Sequence, residues 1–284
     1  REVAYESVGG DTRAQLHGQY ATYLEARSPP AEAPLLAHHF VQAERVLGRA
    51  KACLYLRRAG EQAAARFAND EALAHFERGL AWLPEDDSLA RFELLVQRQA
   101  LFDLQAERER QQQDLDALQH LAARLPDATA RRAQVAVLRA RLDTELGRYA
   151  SARVHAQDAL ALLDGDAGGA SPALPVEARL QLAQVMLLSG AASAARPLLD
   201  SALALAREQG IVAARATALS GIAHLHWQLG DYAACEQGLT EALQLARQGS
   251  PWRVQLNLLN DLGAVAQARS RLGDAARRYE EATQ

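Results

Sequence analysis

The chain holds one lysine, one methionine, two isoleucines and two cysteines, and only 5% of its 284 residues are aromatic. Each scarcity excludes something. Strands draw on β-branched and aromatic side chains, so a β-rich fold lacks its material. Two thiols far apart, Cys53 and Cys235, supply no disulfide framework and point to a reducing compartment, the cytoplasm. The lone Lys51 sits in Gly48-Arg49-Ala50-Lys51-Ala52-Cys53. That stretch does not fit the Gly-x-x-x-x-Gly-Lys-Ser/Thr loop that cradles nucleotide phosphates. A kinase-type His-Arg-Asp is missing too. No apolar run reaches the ~18 residues of a membrane span. No N-terminal basic stretch leads into an apolar segment, as a secretory signal requires. With 31 Lys+Arg against 35 Asp+Glu, the net charge is −4, which argues against a direct nucleic-acid binder.

What is present in quantity is alanine and leucine, together more than a third of the chain. Both favour helix, so the fold is expected to be all-α. Small residues recur at Gly60, Ala100, Ala140, Ala183, Ala223 and Gly263, spaced by 40, 40, 43, 40 and 40. Two further small series follow: Ala72, Ala152, Ala195, Cys235 and Ala275, then Gly79, Ala159, Ala202, Ala242 and Ala282. The second unit breaks both, with Gln112 and Gln119. Repetition at a fixed period marks a stacked-repeat architecture. Small mid-helix residues let a neighbouring helix approach at the short end of the usual interaxial range. Two helices per period make a hairpin, and about six hairpins fit the chain.

The turns carry their own signals. Leu146-Gly147-Arg148-Tyr149, Ser189-Gly190-Ala191-Ala192 and Leu229-Gly230-Asp231-Tyr232 each place a glycine where a helix closes in the left-handed conformation. Tyr149 and Tyr232 should pack beside the start of the following helix. Breakers separate the hairpins at Pro84–Ser88, Pro126–Thr129, Gln209-Gly210 and Gln248–Pro251; the longest, Asp164 to Pro175, predicts a flexible loop. Pro197 should kink its helix or delay its start. Upstream, Asp11–Ala26 reads as a helix with Leu16, Tyr20, Tyr23 and Leu24 as its apolar stripe, and Leu35–Ala43 as a short helix.

The repeat resembles the tetratricopeptide repeat. The matching positions are Ala59-Gly60, Ala72, Phe76, Gly79 and Pro84; Ile222-Ala223, Gly230-Asp231-Tyr232, Leu239 and Ala242; and Leu262-Gly263, Leu272, Ala275, Tyr279 and Ala282. The resemblance covers residues 46–284 and implies a right-handed α-solenoid of helix hairpins with a period of about 40 residues. Arg1-Glu2-Val3-Ala4-Tyr5-Glu6-Ser7 and Leu35-Leu36-Ala37-His38-His39-Phe40 resemble the segment that joins ATPase module to helical repeats in bacterial signal-transduction ATPases of the STAND class. Parents of that class include adenylate cyclases, Ser/Thr kinases and LuxR-type activators. This resemblance implies a sensor or scaffold arm and transfers no ATPase residue. The chain opens on Arg1 and its one methionine is Met186, so a piece of a longer protein is expected. Residues 1–29 are then a helical remnant of an upstream domain, and residues 30–284 a repeat array truncated at its C-terminus.

No catalytic constellation stands out, so no catalytic, cofactor or metal residue is assigned. His38-His39 is the tempting metal pair, but neighbours on a helix point about 100° apart and chelate poorly. His224, His226 and Cys235 lack a fourth ligand. Asp164 and Asp166 lack the calcium-loop spacing. Paired carboxylates such as Glu280-Glu281 read as solvated surface.

The tetratricopeptide resemblance implies instead a concave groove lined by first-helix positions: Arg141, Thr144, Gln184, Ser220, His224, Trp227, Asn257, Asn260 and Gln267. Ser220, His224 and Trp227 share one helix face. Asn and Gln can bond a peptide backbone through donor and acceptor. Trp227 either anchors an apolar side chain or packs between hairpins. The expected partner is a protein or peptide, including other domains of a parent chain, and the expected function a non-catalytic interaction or sensor scaffold. A small-ligand (inducer) receptor, as in the maltose-regulon activator class, is the alternative.

Overall fold

The computed structural model describes residues 9–27, 32–165, 169–249 and 252–283. Among them all regular structure is helical. The chain divides into two compact units, residues 1–125 and 126–284. The boundary expected at residues 29 and 30, and the first seven residues of the linker resemblance, lie outside the described residues.

The first unit contains α1 (Gly10–Glu25), α2 (Ala33–Gln42), the short α3 (Glu44–Leu47), and two hairpins, α4 (Arg49–Ala65) with α5 (Asn69–Trp82) and α6 (Ser88–Leu104) with α7 (Arg108–Ala122). Its core gathers Leu24, Leu36, Phe40, Tyr55 and Leu56, with the Phe40 and Tyr55 rings stacked at 5.1 Å. Lys51 has a structural use here. With the Tyr55 hydroxyl, its ammonium holds the Glu25 carboxylate at the end of α1, and this lysine is the main reason that carboxyl lies below its usual range.

The second unit contains four hairpins: α8 (Ala128–Glu145) with α9 (Tyr149–Asp164), α10 (Ala173–Leu188) with α11 (Ala192–Glu208), α12 (Val212–Gln228) with α13 (Tyr232–Ala246), and α14 (Trp252–Ala268) with α15 (Leu272–Ala282). Each second helix packs on the next first helix, and the first helices α8, α10, α12 and α14 also touch in succession. This is the stacked-hairpin solenoid that the repeat predicts. A hairpin cannot bury its apolar face alone, so stability is largely a neighbour effect.

The turns close as expected. Gly147, Gly190 and Gly230 have φ of +71°, +81° and +75°. The N–H one residue later reaches back five positions: Arg148 donates to the Asp143 carbonyl at 2.7 Å, Ala191 to Met186 at 2.8 Å and Asp231 to His226 at 2.9 Å. Such bonds satisfy carbonyls that the helix end leaves open. The same closure recurs at Phe67, Ala106 and Ser270, which adopt φ of 57–61° without being glycine. Asp87 and Asp231 cap α6 and α13, each carboxylate accepting from an N–H three residues on at 3.1 Å. Pro197 does not delay the start of its helix. It lies inside α11 on an exposed face, where water can take up the carbonyl it leaves unpaired.

Two details of the reading need correction. Ala100 is exposed, and Gln99 is the buried residue at that position of the repeat, at 4% exposure. The partner position is Gln111, not Gln112, and the two glutamine side chains bond each other inside the hairpin. The first two periods are therefore 39 and 41 residues. Of the expected α1 stripe Leu24 is buried and the other three are not. Ala14, Gly18, Ala21 and Leu24 are buried, while Leu16, Tyr20 and Tyr23 are exposed. Small residues spaced i, i+4, i+7 let α1 lie close against α2 and α3, with Leu47 filling the space above Gly18.

Candidate functional site

α12 crosses from a buried face, carrying Leu219, Ala223 and Leu225, to an open one carrying Ser220, His224 and Trp227. These three stand at i, i+4 and i+7, hence on one side of the helix. α14 faces them with Asp261, Ala264 and Val265, and Cys235 and Leu239 of α13 complete the base. Together they line a half-open pocket of about 170 Å³. The base is apolar and the rim carries a hydroxyl, an imidazole and a carboxylate.

Trp227 is both packed and partly open. Its ring meets Tyr232 edge to face at 5.1 Å and packs against the local core, and it also forms a wall of the pocket. Asp261 keeps solvent contact but is crowded by protein atoms. Lost hydration raises its carboxyl above the usual range, and nearby His224 pulls the other way. Burial, followed by the negative charges of Asp261, Asp231 and Glu236, pushes the Cys235 thiol up to about 11. It is therefore a neutral apolar surface at pH 7, not a nucleophile.

The same electrostatics recur two hairpins earlier. Glu177 on α10 also retains solvent contact, and its carboxyl is likewise raised by desolvation, with Arg141 of α8 opposing. Arg141, Gln184, Asn257, Asn260 and Gln267 are exposed on the first helices. Gln267 accepts from the Tyr279 hydroxyl at 3.5 Å. Thr144 differs from the rest. It is 7% exposed, and its hydroxyl donates to the Ala140 carbonyl and accepts from Gln181, so it joins two helices inside the protein. Of the nine residues expected along the groove, Ser220, His224 and Trp227 meet at the pocket. Asp261, Cys235 and Leu239 belong with them and were not anticipated. They lie on neighbouring helices, at spacings that a single-helix argument does not connect.

His224, His226 and Cys235 do not converge. His224 faces Gln228 at 3.2 Å on the open side, His226 turns to Asp231 at 3.9 Å, and Cys235 is buried. Asp166 lies outside the described residues. The His38-His39 pair has a neighbour the sequence did not suggest. His17 of α1 comes up beside it, its Nδ1 2.7 Å from that of His39. Burial first, then the neighbouring charged groups, lowers the pKa of His17 and His39.

Residues 214–284, the two hairpins that form the pocket, match the tetratricopeptide repeat family. A search of curated proteins finds no match. Among solved structures, a tetratricopeptide repeat protein from Parabacteroides merdae is 16% identical, with a TM-score of 0.66 over 96% of this chain and 93% of that one. A Rap protein complexed with competence and sporulation factor is 13% identical, with a TM-score of 0.68 over 96% of this chain and 75% of that one. A Signal Transduction ATPase with Numerous Domains (STAND) protein with a tetratricopeptide repeat sensor, from Pyrococcus horikoshii, is 12% identical, with a TM-score of 0.61 over 98% of this chain and 41% of that one. At these identities the likeness is one of fold.

Proposed function

We propose that this chain is a non-catalytic sensor and interaction arm, working in the cytoplasm, that grips an extended peptide segment along the first helices of its second unit. One observation carries the reading: the pocket beside Trp227 is apolar at its base and acidic at its rim, and packing alone requires neither the half-exposed indole nor the crowded carboxylate. Its size selects the occupant. Sites for whole small molecules run to about 300–1,000 Å³, whereas about 170 Å³ suits one side chain of a longer ligand. Asp261 and Glu177 are partly desolvated acids, so a cation placed beside them recovers electrostatic energy. A basic side chain next to an apolar one is the complement, with the cation seated beside Trp227 in this reading. In this reading Asn257, Asn260 and Gln184, exposed on the first helices, bond the backbone of that segment.

In the finer reading the segment belongs to a partner protein or to another domain of a longer bacterial signalling or transcription-regulating ATPase, of which this chain is the repeat arm. The resemblance of Leu35–Phe40 to the STAND linker segment supports it, as does the fold shared with the P. horikoshii sensor. The fold shared with a Rap protein complexed with competence and sporulation factor supports a ligand-binding role.

The test is a peptide array in which basic-apolar pairs are compared with acidic-apolar pairs, followed by calorimetry on the best binder. Basic-apolar peptides should win, and Trp227→Ala and Asp261→Asn should each weaken binding roughly tenfold or more, as loss of a buried anchor does. Preference for acidic peptides, or indifference to both variants, would contradict the reading. A metabolite that raises the melting temperature through Trp227 would replace the peptide with an inducer.

A further inference from the structure

We propose that His17, His38 and His39 bind one divalent transition-metal ion of the zinc class, clipping α1 onto α2. One ring nitrogen from each residue can be chosen so that all three lie within 4.8 Å of one another. A zinc ion held by nitrogens at about 2.0–2.1 Å in tetrahedral geometry needs them about 3.3 Å apart. The widest gap in the cluster therefore has at most about 1.5 Å to close. His17 Nδ1 and His39 Nδ1 stand at 2.7 Å, so one N–H now points at the other ring's lone pair and both nitrogens aim at a shared point. Opening that pair by about half an ångström, with the donor ring's proton moved from Nδ1 to its own Nε2, admits the ion to two neutral imidazoles.

Adjacent histidines on one helix diverge by about 100°, which is why His38 and His39 alone make a poor chelate. The third ring changes this. His17 enters from α1 and lies against both, with ring centroids 5.9 Å from His38 and 4.9 Å from His39. His38 is exposed and the other two are half-buried, so an ion can enter from solvent and water can fill a fourth position. Imidazoles without thiolates suit zinc, nickel and copper and disfavour calcium and magnesium.

The position gives the ion a use. α1 buries Ala14, Gly18, Ala21 and Leu24, three of which carry little or no side chain, so its hydrophobic attachment is thin. The ion would bridge the seam, with one bond to α1 and two to α2. Metal binding and docking of α1 are then one equilibrium, and the metal affinity contributes directly to the stability of that seam.

The probes are Zn²⁺ alone and Co²⁺ alone, added to the tag-free full chain after chelator treatment. Calorimetry should give one equivalent of Zn²⁺, Co²⁺ should develop visible ligand-field absorption, and Zn²⁺ should raise the first melting transition. His17→Gln and His38→Gln should each weaken Zn²⁺ binding by more than the ~10–100-fold typical of losing an outer-shell partner. His120→Gln, on an exposed position of α7, should change nothing. His38 is exposed, so its variant keeps the fold, which helical circular dichroism checks for each protein. No stoichiometric binding by the wild type, or equal binding by the His17→Gln/His38→Gln double variant, would show that the three rings serve only to pack with Tyr20.

Discussion

In five of the six hairpins a small first-helix residue packs against the one sixteen positions later. Where the first is glycine the second is aromatic. A Cβ on Gly60 would stand 2.3 Å from the Phe76 ring, and one on Gly263 2.5 Å from Tyr279. Where the first is alanine, as at Ala223, Ala183 and Ala140, its counterpart is Leu239, Leu199 or Ala156, in the same core cluster each time. The repeated small residues were therefore legible, because one chain repeats the packing problem five times. The left-handed turns were half legible. Glycine announces such a conformation at Gly147, Gly190 and Gly230, while Phe67, Ala106 and Ser270 adopt it without a sequence signal, held there by the flanking helices. Ala106 is exposed and at φ 58°, so Ala106→Gly should stabilise the protein by about 1 kcal/mol, read from urea unfolding. Asp261 gives a second test. Its folded-state pKa is raised, so the native state binds the proton more tightly and loses stability as pH rises through its range. Asp261→Asn should therefore melt higher than wild type at pH 7, with the difference shrinking as pH falls through the raised folded-state pKa and gone below the unfolded value near 3.8, while peptide binding weakens. A variant no more stable at pH 7 would deny that the carboxylate is held at a cost to stability.

At the scale of elements, α6 and α7 show how far the repeat can bend. Their contact is polar where the others are small. Gln99 meets Gln111, and Arg98 grips the buried Asp114 through two bonds of 2.9 and 2.6 Å. Small residues do not mark this contact, so their series falls on Ala100, one position from the buried Gln99. Removing one partner of a buried pair strands the other charge. Arg98→Met should cost about 3 kcal/mol in equilibrium unfolding; a loss within experimental error would mean that water reaches Asp114. The α12–α13 hairpin tests the small-residue rule itself. Ala223 is fully buried, and a Cβ built on Gly238 would lie 3.3 Å from its own. Ala223→Leu should overpack that crossing and cost about 1–3 kcal/mol, and an unchanged melting temperature would count against the close approach. The face of α1 was misread for a related reason. Large apolar residues drew attention to Leu16, Tyr20 and Tyr23, whereas the helix packs through Ala14, Gly18 and Ala21.

Over the whole molecule, fold class and hairpin number were legible because both follow from period and composition. The site was legible only where it lies on one helix. Ser220, His224 and Trp227 could be grouped by spacing, but Asp261 and Cys235 join them through stacking of the next helices, and His17 reaches His38-His39 through the pairing of α1 with α2. Such juxtapositions exist only once hairpins are stacked. The central claim is that the first-helix side of the second unit holds an extended partner at the Trp227 pocket. Amide hydrogen exchange on the full chain, with and without the basic-apolar peptide selected from the array, tests it most directly. Slowed exchange should concentrate in Val212–Gln228 and Trp252–Ala268 and disappear with Trp227→Ala. Protection confined to Ala192–Glu208 and Leu272–Ala282, or none at saturating peptide, would contradict it.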